Sequence, residues 1–249
     1  PRISRWVKGK AKTSEPEDNL ILVSASNPAT VRSLVHLGSI IAQASEDAYI
    51  CVMSVATSNQ RGVMGRGPRP PALPRPREHT LWSQIAADAV DRNVGLYTKL
   101  RTAVNVSEGI LEEIAAHRNI KLLVMGWPGP LDGRPLADNP VKVVLQKART
   151  NVAVVLDRGL GEPKRILVPV GGGPHSRMAL RLANEIAISD GATVTALRLI
   201  TAPTTGDDEE VEEDQKALLA DIVEEALGGV PTSFNLEVRH AATVPKGIL

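Results

Sequence analysis

The stretch LILVSASNPATVRSLVHLGSIIAQASEDAYICVMSV, Leu20–Val55, recurs in altered form as RILVPVGGGPHSRMALRLANEIAISDGATVTALRLI, Arg165–Ile200, about 145 residues further along the chain. Each copy reads as a short aliphatic strand, a small-residue turn, an amphipathic helix and a second strand. A further match supports the first: AVNVSEGIL (Ala103–Leu111) aligns with AATVPKGIL (Ala241–Leu249), about 138 residues apart, a drift within ordinary loop-length variation. The chain therefore carries two copies of one unit. The first copy runs on through EEIAAHRNIKLLVMGW to Val155, whereas the second stops at its match, so it is expected to be incomplete and the natural protein to continue past Leu249.

Strands are predicted near 20–25, 48–56, 96–103, 121–126 and 152–156, and helices near 28–44, 78–93, 107–118 and 139–149. In the first helix Val31, Leu34, Val35, Gly38, Ile41 and Ala42 form one apolar stripe, with Asn27 as its cap and Pro28 in its first turn. KLLVMG, VAVVL and RILVPV are nearly all apolar, as strands covered on both faces must be. Strand–helix alternation of this kind predicts an α/β fold: an open, doubly wound, mostly parallel sheet of flavodoxin-like or adenine-nucleotide-hydrolase-like type, in two tandem repeats. The expected division is a basic juxtamembrane or linker segment over 1–18, a first domain over 19–160 and a truncated second over 161–249. In a flavodoxin-like order, loss of the fourth and fifth strands would strip one side of RILVPV and expose an aliphatic edge.

Bulk properties narrow the function. Only 2% of the 249 residues are aromatic, so the core must be built from Val, Leu, Ile and Ala. A net charge of +1 lacks the concentrated basic face of a nucleic-acid binder. The single cysteine, Cys51, sits in an apolar strand and reads as a small core residue in a reducing compartment. No apolar run approaches the ~20 residues of a membrane-spanning helix, and the start shows no secretory signal. A chain opening at Pro1 reads as part of something longer.

In open parallel sheets ligands sit beyond the carboxyl ends of strands, where strand order reverses. Three turns fall at such ends: SASNPAT, VGGGPHS, and the glycine- and proline-rich opening of Val124–Val155. The last has the layout of a phosphate-holding loop, and equally of a plain strand-to-helix connection.

Together, ILVSASNPATV, ILVPVGGGP, LLVMGWPG before a helix and a closing VAVV strand resemble the universal stress protein family, over the whole chain from about Leu20. VPVGGGP and the looser SNPATV further resemble the domains fused behind amino acid permeases and related cation transporters. The resemblance implies an adenine-nucleotide site in a pattern of glycine, two residues, glycine, nine residues, then glycine followed by serine or threonine. Gly126 and Gly129 match the first pair, but Asn139 and Pro140 follow where glycine and a hydroxyl are required; counted back from the last strand, Asp138 and Asn139 fall there instead. Pro140 has no N–H to give a phosphate, and Asp138 would set a negative charge against it. The resemblance also implies an aspartate just after the first strand, where Ala25 or Ser26 stands in the first copy and Gly171 in the second. Two parts of the site thus depart from the pattern. Trp127 reads either as a base-stacking surface or as cover for the sheet end.

Elsewhere, Gly171, Gly172 and Gly173 open a helix with Pro174; the loop reads as a structural turn, or as an anion grip through its amides. His36, His79, His117, His175 and His240 show no metal-ligand spacing, and no nucleophile elbow or paired carboxylates appear, so neither an enzyme nor a metal site is expected. Gly206–Leu227 reads as an acidic helix start followed by a stripe at Leu218, Leu219, Ile222, Val223 and Ala226. Arg61–His79 is a proline- and arginine-rich insertion, read as a surface loop or a basic contact. In Pro1–Lys12, Arg2, Arg5 and Lys8 beside Trp6 fit the cytoplasmic end of a preceding transmembrane helix and would meet anionic lipid.

The expected function is a cytosolic, non-catalytic regulatory or assembly domain of an amino acid or cation permease, at the cytoplasmic face of the membrane. Its partner would be the transporter membrane domain. The resemblance adds a homodimer or pseudo-dimer through Val152, Val154 and Leu156. No cofactor is expected. The alternative is a free-standing tandem protein that binds ATP or AMP.

Overall fold

The computed structural model describes residues 19–25, 28–44, 48–57, 89, 91–117, 119–127, 139–201 and 208–248. Outside these lie Arg2, Arg5 and Lys8, the insertion 61–79, most of the helix expected over 78–93, and Ser26, Asn27, Gly129, Asp138 and Leu249. The chain divides into two compact units, Pro1–Gly161 and Glu162–Leu249.

Unit 1 has five parallel strands, β1 (Leu20–Ser24), β2 (Tyr49–Thr57), β3 (Gly95–Ala103), β4 (Ile120–Gly126) and β5 (Val152–Val155), in the order β3-β2-β1-β4-β5. Helix α1 (Pro28–Gln43) leads from β1 to β2, α2 (Val106–Ala116) from β3 to β4, and α3 (Pro140–Lys147) from β4 to β5. All five residues of β1 are buried, because it is the central strand and both its faces are covered. Leu20, Leu22, Cys51, Met53, Leu123 and Met125 pack against Ile110 and Ile114 of α2 and Val141 and Val144 of α3. On the opposite face α1 comes so near that a Cβ on Gly38 would lie 3.3 Å from Val23 and 3.6 Å from Ile21. Ser39 and Ile40 are buried beside the expected α1 stripe, since a helix over the central strand touches β1, β2 and β4 together.

Unit 2 has β6 (Arg165–Pro169), β7 (Thr193–Ile200) and β8 (Phe234–His240), parallel and in that order, with α4 (Pro174–Asp190), α5 (Asp208–Leu227) and the single turn α6 (Val244–Ile248). Its core joins Val168, Leu180, Val194, Ala196, Leu219, Val223 and Phe234. Of the five residues expected to form the α5 stripe, Leu219, Ile222, Val223 and Ala226 are buried, but Leu218 is 41% exposed; it lies at the rim of the covered arc. Arg177 and Arg181, one turn apart on α4, fasten the end of α5: Arg177 Nη2 donates to Glu225 Oε2 at 2.7 Å and Arg181 Nε to the Ala226 carbonyl at 3.1 Å, cations placed where a helix dipole favours them.

The repeated glycine has the same use in both units. A Cβ on Gly109 would fall 2.7 Å from Val55 Cγ1 and 3.1 Å from the Ala103 Cβ, and one on Gly247 would fall 2.6 Å from Leu199 Cδ2 and 2.8 Å from the Ala241 Cβ. In each case the helix starts flush against the second strand of its unit, and only glycine leaves room.

Candidate functional site

Strand order reverses between β1 and β4, so their carboxyl ends bound the crevice where this architecture places ligands. Beyond β1 the Ala25 amide donates to the Met53 carbonyl at 2.8 Å, following β2, while the Trp127 amide donates to the Val155 carbonyl at 2.8 Å, following β5. The two strands part, and the opening between them is the candidate site. Thr30 and Leu34 of α1 lie against Gly126: a Cβ there would stand 3.3 Å from Thr30 Oγ1 and 3.6 Å from Leu34 Cδ1. The small size of Gly126 is thus already used by helix packing. Trp127 is 36% exposed at the crevice mouth.

The start of α3 is where amides could meet an anion, and two of its first three positions offer none. Asn139 is the N-cap, its Oδ1 accepting from the Val141 amide at 2.9 Å. Pro140 has no N–H, and the Val143 amide closes the first helical turn on the Asn139 carbonyl at 3.2 Å. Asn139 is only 1% exposed, and among the described residues its buried Nδ2 has no hydrogen-bond partner. Nearby, after β5, Asp157 accepts from the Ser33 hydroxyl and the Leu160 and Gly159 amides, which hold its carboxyl below the usual range.

The glycine loop of unit 2 is closed on itself in the same way. The Gly171 amide donates to Ser176 Oγ at 3.0 Å, and Arg177 Nη1 donates to the Gly172 carbonyl at 3.1 Å. Gly172, with φ of +91°, needs to be glycine; Gly173 is the N-cap of α4 with no side-chain cap, and a Cβ on it would meet nothing. This is the bonding of a structural turn.

A cluster not anticipated from sequence lies between β3 and α2. Glu113 is fully buried; Lys99 Nζ donates to its Oε1 at 2.5 Å, Arg101 Nη1 donates to its Oε2 at 2.6 Å, and His117 Nε2 lies 2.9 Å from Oε1. Burial pushes the Glu113 carboxyl up, but Lys99, Arg101 and His117 outweigh it and hold the group below its ordinary value. Register sets Cys51 beside Tyr97 and Met53 beside Lys99, and Tyr49 stacks on Tyr97 at 5.9 Å. Burial pushes the Cys51 thiol up to about 12, so it is not a nucleophile at neutral pH. The sequence signal was present: Lys99 and Arg101 alternate with Thr98 and Leu100 on an edge strand, and Glu113 sits inside the Ile110–Ile114 stripe. Among the described residues no three His, Cys, Asp or Glu side chains gather as metal ligands, and no helix is long and apolar enough to cross a membrane.

No protein-family model matches the sequence, and no curated protein matches it. Solved structures do match. A universal stress protein from Archaeoglobus fulgidus aligns with a TM-score of 0.54 at 13% identity, covering 90% of this chain and 77% of that one. The cytoplasmic domain of a prokaryotic cation chloride cotransporter aligns with a TM-score of 0.51 at 13% identity, covering 92% of this chain and 80% of that one. The chain has the universal stress protein fold. A structure described as a putative universal stress protein from Pseudomonas aeruginosa aligns similarly, with a TM-score of 0.51 at 13% identity over 89% of this chain and 74% of that one.

On this universal stress protein fold the site residues expected from sequence are only partly brought together. Ala25 and Gly126 end the two strands that bound the crevice, and Asn139 caps the helix that follows β4. Gly171, Gly172 and Gly173 occupy the equivalent turn of unit 2. Val152 and Val154 pack inward against the α2 and α3 core, while Leu156 is 56% exposed.

Proposed function

We propose that this chain is a non-catalytic regulatory or assembly domain at the cytoplasmic face of a membrane transporter, an amino acid or cation permease, in which the nucleotide crevice of the fold is no longer a phosphate cradle. The observation that carries the reading is the helix start after β4, where Pro140 has no amide and the amides of Val141 and Val143 are bonded to Asn139. A phosphate entering there would meet one fewer donor at each of two positions, Pro140 and Val141, in a fold whose anion binding depends on such donors. The transporter assignment is supported by the match to a cotransporter cytoplasmic domain across both units and by the basic, Trp-containing segment around Arg2, Arg5 and Lys8, suited to anionic headgroups. Self-association through the backbone edge of β5, with Leu156 beside it, would make the assembly a dimer.

One observation favours the alternative, a free-standing protein that binds ATP or AMP: the unpartnered Nδ2 of Asn139 is a buried donor at the crevice end of α3. Cell fractionation separates the two readings. The native gene product that contains Pro1–Leu249 is expected in the membrane pellet after both high-salt and carbonate washes. Recovery in the soluble fraction would overturn the transporter reading.

A further inference from the structure

Helix α3 turns Val141 and Val144 into the core of unit 1 and leaves Lys142, Leu145, Gln146 and Lys147 exposed, with Arg149 exposed in the turn that follows. From Asn139 to Leu156 the chain carries no Asp or Glu. Among the described residues the side chains of Lys142, Lys147 and Arg149 have neither a hydrogen bond nor an ion pair, whereas Lys99 and Arg101 of β3 are both tied to carboxylates. Lys147 suits the carboxyl end of a helix, but Lys142 stands in the first turn, where a cation opposes the backbone dipole and no acid offsets it. Helix stability accounts for the one and not for the other. Lys142, Leu145 and Gln146 share the outward face at spacings of three and four, so an apolar side chain, 52% exposed, sits beside the cation there.

We propose that the outer face of α3 rests on an anionic bilayer surface, with Lys142, Lys147 and Arg149 meeting lipid phosphate and carboxylate groups while Leu145 enters the headgroup layer. The proposal rests on the reading of the chain as a domain at the cytoplasmic face of a membrane. An acidic protein segment would answer the cations but leave Leu145 uncovered. A layer of anionic headgroups over acyl chains takes up both, and it demands no fixed register from long side chains that have no partner to hold them. A second copy fits poorly, because a twofold contact through this face sets the cations against their own counterparts, with no acid between Asn139 and Leu156 to offset them.

The probe is a vesicle of phosphatidylcholine with about 30% phosphatidylserine, sedimented with the full chain in which Arg2, Arg5 and Lys8 are changed to Gln, so that the amino-terminal segment does not bind on its own account. That protein is expected to pellet with these vesicles at low salt and not with pure phosphatidylcholine. Lys142→Gln, Lys147→Gln and Arg149→Gln together should weaken binding by about 100-fold with the circular dichroism unchanged, since each cation at such a surface is worth about 5-fold. Leu145→Ser alone should weaken it by about 10-fold. Unaltered binding after either change would overturn the proposal. Failure to pellet would overturn it as well, and retention on polyglutamate would then assign the face to an acidic protein segment. Recovery of the native gene product in carbonate-washed membranes does not depend on this peripheral contact, so a failure here leaves the transporter reading standing.

Discussion

Glu113→Gln is expected to lower the stability of unit 1 by about 3 kcal/mol at neutral pH, read as a shift of the urea midpoint by tryptophan fluorescence, since all three tryptophans lie in that unit. The carboxylate is fully buried and held by Lys99, Arg101 and His117. Neutralising it leaves Lys99 without its counter-charge, while Arg101 keeps Glu112, whose Oε2 accepts from Arg101 Nε at 3.0 Å. Breaking a buried ion pair costs about 3–5 kcal/mol, and the lower end applies because the Lys99 and Arg101 side chains keep 37% and 26% exposure and can rehydrate. The effect has a definite pH sign. The folded-state value of Glu113 lies below its ordinary 4.5, so the stabilisation is full above the unfolded value and is lost as pH falls through the folded one. The native and Glu113→Gln proteins should therefore differ most at neutral pH and converge in acid. A constant difference down to acid pH would show that packing, and not the charge, sets the stability.

Gly109→Val should destabilise unit 1 by about 3 kcal/mol or more, since even its first carbon would lie 2.7 Å from Val55 Cγ1 on a strand that cannot retreat. The sharper form of the experiment is a cycle. Gly109→Ala alone is expected to be destabilising, because overpacking costs about 1–3 kcal/mol against the ~1 kcal/mol an alanine contributes in a helix. In a Val55→Ala background the same change should cost distinctly less, because the contacts with Val55 are gone and only the 3.1 Å approach to the Ala103 Cβ opposes the helix preference. Equal effects in both backgrounds would contradict the packing account. In unit 2 the matching cycle needs Leu199→Ala together with Ala241→Gly, because a Cβ on Gly247 would lie 2.6 Å from Leu199 Cδ2 and 2.8 Å from the Ala241 Cβ.

These two positions mark the limits of reading the chain alone. Gly109 and Gly247 were visible as a repeated letter, but the reason lies in strands β2 and β7, which reach them only through the fold. Glu113 was hidden within an apolar stripe, its partners Lys99 and Arg101 on a strand that the sheet brings opposite. The elements themselves were legible because β1, β4 and β5 are short aliphatic runs and α1 has a clean period. Leu218 was misjudged because a stripe read from spacing is wider than the arc that packing covers. At the crevice, the departures at Ala25, Asn139 and Pro140 were plain in sequence. That Gly126 is small to admit Thr30 and Leu34, and that Ser176 and Arg177 close the unit 2 loop, depended on distances no spacing contains.

The proposed loss of the phosphate cradle is tested most directly by calorimetric titration of the full chain with ATP at neutral pH. The account predicts no saturation below about 1 mM. Micromolar binding, abolished by a Gly126→Val protein that keeps the native circular dichroism, would contradict it.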